Sequence, residues 1–283
     1  MTVKKGATAM KLKAQWNSVW LNVFGILIAC AALFPLVWMF IAGFKEKTEV
    51  LATPFKFLPD RWLITNYTGI LEDADFIRSM LLTLGGAVLF ALLSLAINSM
   101  GAYVFARLEF RFKRFMWLYV IMSMFIPGMA ILLTSFIVVT KLHMLDTLAV
   151  LILPGVASAG HMFFIRQFYL NVPIALEEAA RIDGATRFRI FLSVFVPMSY
   201  PVFVIVGIGS YLGYWNSFVW PTMTITNTHL FQIMQYLATF RSERGSEMGL
   251  LMAGSALAAV PTILLFLLTQ KYIMRGIKIS GLK

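Results

Sequence analysis

Long charge-free stretches alternate with short charged ones along the chain. Stretches without Asp, Glu, Lys or Arg run over 14–44, 79–106, 115–140, 147–165, 190–240 and 248–270. A helix needs about 20 apolar residues to cross a bilayer core, so each stretch is long enough for one crossing. The fifth has length for two, but Thr, Asn, His and Gln crowd 222–235, which predicts one span followed by a loop. The pattern therefore predicts an all-α, polytopic membrane protein with six transmembrane helices, over about 16–44, 79–106, 115–140, 147–168, 194–221 and 248–271. They make a single membrane domain of residues 1–283. Pro127-Gly128 predicts a bend in the third span.

Composition agrees with the bilayer as solvent. Sixty per cent of the 283 residues are apolar, aromatic or Cys, 13% are charged, and mean hydropathy is +0.81. The net charge of +11 is unevenly placed. Six spans put both termini on one side, and 16 of the 24 basic residues fall there, against four of the 13 acidic ones. That side carries +12 and the other −1, so both termini are expected in the cytoplasm. The same asymmetry accounts for the basic balance without nucleic acid. Lys4, Lys5, Lys11 and Lys13 precede an apolar run as in a signal peptide, but that run outlasts the roughly 7 to 15 residues of a signal core. A retained first helix is expected.

Several chemistries lack their residues. The lone Cys30 forbids a disulfide framework, and with only His143, His161 and His229 beside it no zinc site is expected. No Gly-x-x-x-x-Gly-Lys-Ser/Thr loop is present to cradle nucleotide phosphates, and no nucleophile pairs with a base. Gly207, Gly209 and Gly213 lie inside an apolar span, where close helix packing is the expected use. The spans carry no central carboxylate of the kind ion-coupled carriers place at the midplane. This weakens the secondary-carrier alternative, which stands beside a third class, a structural membrane scaffold.

The most informative segment is 171–197. Pro173 suits a first helical turn and Gly184 a position just past the end, predicting a short helix over Pro173 to Asp183. Helical spacing puts Ala175, Leu176, Ala179 and Ile182 on one face, with Glu177 and Arg181 in the favourable acid-first order. A small-residue face of this kind suits either a docking element or a helix lying on lipid. Outside it, Tyr211, Tyr214, Trp215 and Asn216 gather aromatic faces and an amide near the end of the fifth span, suited to a sugar or to an interfacial belt. Asn98, Ser99, Ser123, Ser135 and His161 are polar within spans, for the solute path or for interhelical hydrogen bonds. The 222–247 stretch, with Arg241, Glu243, Arg244 and Glu247, serves as a contact for an external partner or as a plain surface loop.

Glu178-Ala179-Ala180, then Gly184, then Val194-x-Val196-Pro197 resembles the EAA loop of permease subunits of binding-protein-dependent ABC importers. Asp183-Gly184-Ala185 is similar to the form found in carbohydrate importers. Likeness to the maltose-type subunit without a large external insertion extends to the stretch from Pro54 to Asn66-Tyr67, to Gly101–Arg107, to Trp215-Asn216-x-x-x-Trp220-Pro221 and to Gln270–Gly276. Val194 and Val196 stand for the usual Ile and Leu, and Arg78 where Asn is expected. The resemblance implies the ABC importer permease fold in a bacterial inner membrane. It implies a second, homologous permease, two ATPase subunits on the cytoplasmic face and an extracytoplasmic solute-binding protein. By the same resemblance the chain itself is expected to make and break no bonds and to hold no cofactor, with ATP and Mg on the partner ATPase. Glu178, Ala179, Ala180, Asp183, Gly184 and Pro197 are then expected to couple to that ATPase. The implied solute is a sugar or oligosaccharide, with another binding-protein-delivered solute such as a glycerol phosphate as the alternative.

Overall fold

The computed structural model describes residues 2–242 and 247–280. Among these residues the regular structure is helical throughout. Two compact units divide the chain, one within Met1–Glu72 and Phe240–Leu257, the other within Asp73–Thr239 and Ala258–Lys283.

The first unit contains α1 (Thr2–Ala42), the one-turn α2 (Lys47–Val50) and α3 (Thr65–Glu72). The apolar part of α1, Trp20–Ala42, is long enough to cross a membrane and shows large apolar side chains outward, among them Trp20, Phe24 and Leu27. In lipid such exposure costs nothing. The end of α1 must still satisfy its last carbonyls. Tyr67 does part of this, its hydroxyl donating to the Phe40 carbonyl (2.7 Å), and Asn66 pairs the turn that follows, donating its amide to the carbonyls of Gly43 (3.0 Å) and Lys45 (2.9 Å). The aromatic residues of the following loop fold back along the helix. Phe57 stacks on Phe34, Phe55 packs on Trp38, and Trp62 on Phe44. Lys45 is wholly buried here, its ammonium donating to the Lys56 carbonyl at 2.6 Å over the Trp38 ring.

The second unit is built on α4 (Ala74–Arg107), an unbroken helix of 34 residues, about 50 Å long. Asp73 caps it, its carboxylate accepting from the backbone N–H groups of Asp75 and Phe76. Ser79, Thr83, Ala87, Ser94, Asn98 and Ala102 form a buried stripe of small residues along it. Such a stripe lets helices approach closely where no hydrophobic effect drives them together. Three bent pairs follow. The first is α5 (Lys113–Ser123) with α6 (Gly128–Lys141), meeting at 103°; α7 (Leu148–Val156) and α8 (Ala159–Leu170) meet at 46°. Next come α9 (Ile174–Ile182) and α10 (Arg187–Ile190), which runs through a π turn at Phe191–Phe195 into α11 (Val196–Met198). That composite meets α12 (Tyr200–Trp215) at 83°. The chain then passes through α13 (Val219–Thr224), α14 (Ile233–Ser242) and α15 (Met248–Ser280). Three long helices and three bent pairs give up to six apolar spans. α4 packs chiefly against α8 and α12.

Each bend has a local cause. Pro127 lacks an N–H and precedes α6, and tight turns close the end of α5 instead. At the α7/α8 break Asn98 bridges the gap, donating its amide to the Val156 carbonyl (2.9 Å) and accepting from the Ser158 N–H (2.8 Å). Pro197 and Pro201, one turn apart, remove two donors from one helix face, and the buried Ser199 donates both its N–H and its hydroxyl to the Phe195 carbonyl. The segment expected as one span over 194–221 is therefore a chain of short helices with a sharp bend at Ser199.

The 222–247 stretch, expected as a loop, contains the helix α14, whose first N–H donates to the Thr83 hydroxyl at 2.8 Å. Polar content disguised it: Gln232, Thr224 and Gln235 are buried, and the Gln235 amide donates to the Ile225 carbonyl. Of the charges expected to meet a partner there, Glu243 and Arg244 lie outside the described residues. Asp146, in the turn before α7, fixes the start of this stretch. Its carboxylate accepts from the Thr226 N–H (2.6 Å), the Asn227 N–H (2.8 Å) and the Thr226 hydroxyl (2.7 Å). The Asn227 N–H, then the Thr226 hydroxyl and N–H, hold its pKa below the ordinary aspartate value.

Two outcomes are expected. Asn98→Leu leaves one carbonyl and one N–H unpaired within the membrane and should lower stability by about 2 kcal/mol, read as a fall in thermal midpoint in detergent. Ser123→Ala, which removes only a bond to the Val120 carbonyl of its own helix, should not. Because the Asp146 pKa is depressed in the folded chain, its clamp is complete above the ordinary aspartate value and is lost only as pH falls through the lower, folded one. Hydrogen exchange over 224–228, corrected for intrinsic rates, should stay slow from pH 7 to pH 4 (about the ordinary aspartate value) and become fast at pH 7 in Asp146→Asn.

Candidate functional site

The 171–197 segment is held against the C-terminal end of α4. Arg107, the last residue of α4, donates to the Tyr169 carbonyl at 2.7 Å and to the Val172 carbonyl, and its guanidinium lies 5.1 Å from the Phe195 ring. One side chain thus satisfies the end of α8 and ties together the segments on either side of α9. A buried cluster that includes Ala102, Tyr103, Ile165, Tyr169, Ile190 and Phe195 fills the space beneath, with Ala180 and Ala185 packed on it.

α9 starts at Ile174 after Pro173 and ends at Ile182, with Asp183 as its C-cap. Its end is a Schellman motif: the Ala185 N–H donates to the Ala180 carbonyl and the Gly184 N–H to that of Arg181, both at 3.0 Å. Gly184 has φ +77°, a conformation that costs a residue with a Cβ about 1 to 2 kcal/mol. The spacing of Pro173 and Gly184 was a sufficient signal for this helix.

Its faces divide the expected coupling residues. Glu178, Ala179, Asp183 and Gly184 point outward, as do Ala175, Leu176 and Ile182, the last 87% exposed. Ala180 is half-buried against the chain's own core. Glu177, which sequence reasoning paired with Arg181 but did not place in the site, is the buried acid. It is 4% exposed and meets Arg181 at 2.6 Å, beneath an outward apolar face. Pro197 lies at the surface, beyond the π turn, where the Val196 N–H donates to the Phe191 carbonyl.

The four residues expected on the solute path separate. Only Tyr214 lines a cavity of about 830 Å³ between α4, α6, the α7/α8 pair, α12 and α13. Trp215 is buried and stacked on Tyr211 with ring centroids 5.6 Å apart, and Asn216 is exposed at the end of α12. Tyr211 borders a smaller, apolar cleft of about 250 Å³ with Phe203, Leu265 and Val88. The large cavity also takes in Ser135 and His161, from the polar positions noted in the spans, and Gln232, which the sequence had assigned to a loop. The His161 Nδ1 stands 3.4 Å from the hydroxyls of Ser94 and Ser210. Tyr214 reaches its place because Gly86 on α4 has no side chain; a Cβ there would strike the phenol. Of the three glycines in α12, Gly207 packs on Leu95, as close packing requires, whereas Gly209 and Gly213 line the cavity.

Comparison with known proteins places this architecture. A family model described as "Binding-protein-dependent transport system inner membrane component" matches residues 97–279, which include α9 and nearly all of the cavity lining. The arabinooligosaccharides transport system permease protein AraQ of Halalkalibacterium halodurans is 30% identical over 282 residues, covering 97% of this chain and 100% of that one. The sn-glycerol-3-phosphate transport system permease protein UgpE of Escherichia coli is 29% identical over 275 residues, covering 92% and 97%. Among solved structures, a bacterial ABC transporter involved in the import of the acidic polysaccharide alginate matches with a TM-score of 0.79 over 93% of this chain and 96% of that one, at 22% identity. That match carries the fold alone. With a family model spanning most of the chain and a relative aligned along nearly its whole length, this multi-pass membrane protein belongs to the binding-protein-dependent transport system inner membrane components.

Proposed function

We propose that this chain is one permease subunit of an ATP-driven importer for sugars or oligosaccharides. In this reading α9 is the element that seats on an ATPase subunit at the cytoplasmic face. The observation that carries it is the construction of α9: an outward face of Ala175, Leu176, Ala179 and Ile182, held from behind by Glu177, Ala180 and the Schellman turn. The partners are a second, homologous permease, two ATPase subunits that bind ATP and Mg, and an extracytoplasmic protein that delivers the solute. Both termini face the cytoplasm, in keeping with the charge distribution.

Mechanically, Arg107 joins the segments flanking α9 to α4, a span that has no break. A displacement of α9 acts on the end of α4, while the bent pairs supply places to flex. Phe90 at the cavity is 17 residues from Arg107, about 25 Å along that helix. The relatives' solutes support the class: arabinooligosaccharides for AraQ and sn-glycerol 3-phosphate for UgpE. The second is kept as the alternative solute.

The test is uptake of labelled oligosaccharides and of sn-glycerol 3-phosphate into vesicles carrying this chain with its partner permease, ATPase and binding protein. Uptake should require ATP. Glu178→Lys and Gly184→Pro should each reduce it at least tenfold, roughly 1.4 kcal/mol or more, while the variants still insert. Arg107→Ala should act in the same direction. Uptake without the ATPase, or normal transport by the α9 variants, would overturn the assignment.

A further inference from the structure

The large cavity of the second unit carries a buried polar group that the chain itself leaves without a hydrogen bond. The Gln232 Oε1 has no partner, and the Tyr214 hydroxyl has only the Gln232 side chain beside it; the two residues are 1% and 4% exposed. Folded proteins rarely leave such groups unpaired unless something else meets them. Both line the cavity, and its volume of about 830 Å³ is in the range of small-molecule sites.

The remaining lining narrows the ligand. Among the described residues no Asp, Glu, Lys or Arg borders the cavity. An anion seated against this lining would meet no cation from this chain, which disfavours a phosphate or a uronate. Phe90 and Trp220 add aromatic surface, the indole fixed by its N–H donating to the Val150 carbonyl at 2.8 Å. Gly213 opens the α12 backbone: a Cβ there meets nothing within 4 Å. Aromatic surface, a few hydroxyl and amide groups, bare backbone and no charge match a neutral pyranose or furanose ring, which has apolar faces and a hydroxyl rim. The small cleft beside Tyr211 lacks this polarity, and Thr269 is the single hydroxyl-bearing side chain besides Tyr211 among its lining residues.

We propose that this cavity is a binding site for one neutral glycosyl unit of the transported solute, with Tyr214 and Gln232 as its hydrogen-bonding residues. The proposal rests on the importer reading and adds to it a place and a charge class. It assigns solute contact to this subunit and disfavours anionic solutes.

The complete importer in vesicles tests it, with labelled arabinotriose, maltotriose and xylotriose as neutral probes and sn-glycerol 3-phosphate and trigalacturonate as anionic ones. Tyr214→Phe and Gln232→Leu should each lower uptake of the preferred neutral probe about fivefold or more, the usual effect of stranding a substrate hydroxyl. Gly213→Leu, which fills open space and is favourable in a helix, should lower it at least tenfold. Co-purification of the variants with the other subunits reports assembly. Normal uptake by Gly213→Leu, or unchanged uptake by both polar variants, would overturn the site, as would transport confined to the anionic probes. Those results leave ATP dependence and the α9 variants untouched, whereas loss of ATP dependence in the native complex removes the importer reading itself.

Discussion

The structure depends on one constraint: within a bilayer a backbone N–H or C=O that leaves a helix must find its partner inside the protein. An unbroken helix meets it automatically, but half of the apolar spans here are bent pairs. At two of the three bends the repair is a polar side chain, and at the α5/α6 bend backbone turns supply it. Asn98 spans the α7/α8 gap, Ser199 closes the chain before α12, and Arg107 satisfies the end of α8. In the turn that follows α1, Asn66 performs the same task in the other unit. These side chains stand within or beside apolar sequence because the backbone requires them, and the breaks persist because they are there.

The repairs also decide which parts of the second unit are stiff. α4 runs its full 34 residues without a break and meets both the segment that carries α9 and, near its middle, the cavity. Its partners α8 and α12 each begin at a bend. A rod flanked by jointed helices can pass a displacement along its length while its neighbours rearrange. A bundle of six straight helices held by close packing alone would resist such movement, since packed interiors do not deform smoothly.

Much of this was legible in the sequence. Charge-free stretches located the spans because burying an ion in lipid is costly over any sequence. Pro173 and Gly184 located α9, and Pro127-Gly128 the first bend, because these residues act through backbone geometry that no tertiary context changes. What failed was orientation. A nine-residue helix has periodicity enough to define faces but not to say which face turns inward, so the burial of Glu177 beside the outward Glu178 could not be read from it. Likewise Tyr214 turns to the large cavity, while Tyr211 and Trp215, one turn apart and stacked on each other, do not. Gln232 was concealed for the opposite reason: polar residues at 222–235 read as a loop, yet several are buried by tertiary contacts that pair them or leave them facing a cavity.

The outward face of α9 raises the question of what covers it. For α1, exposed Trp20 and Phe24 need no cover but lipid, since they lie in a span. α9 lies outside the apolar stretches, between Arg166 and Arg187, so Ile182 at 87% exposure cannot be excused in that way. A membrane surface would hide it, but helices that lie on the anionic cytoplasmic leaflet do so with Lys and Arg beside their apolar residues. The exposed charges nearest this face are Glu178 and Asp183, with Arg181 engaged by Glu177. Arg187 and Arg189, which suit headgroups, lie past the Gly184 turn on α10. An apolar patch bordered by carboxylates is repelled by such a surface and complementary to a protein groove with basic or N–H donors, so the sign of the charge beside the patch favours docking over adsorption.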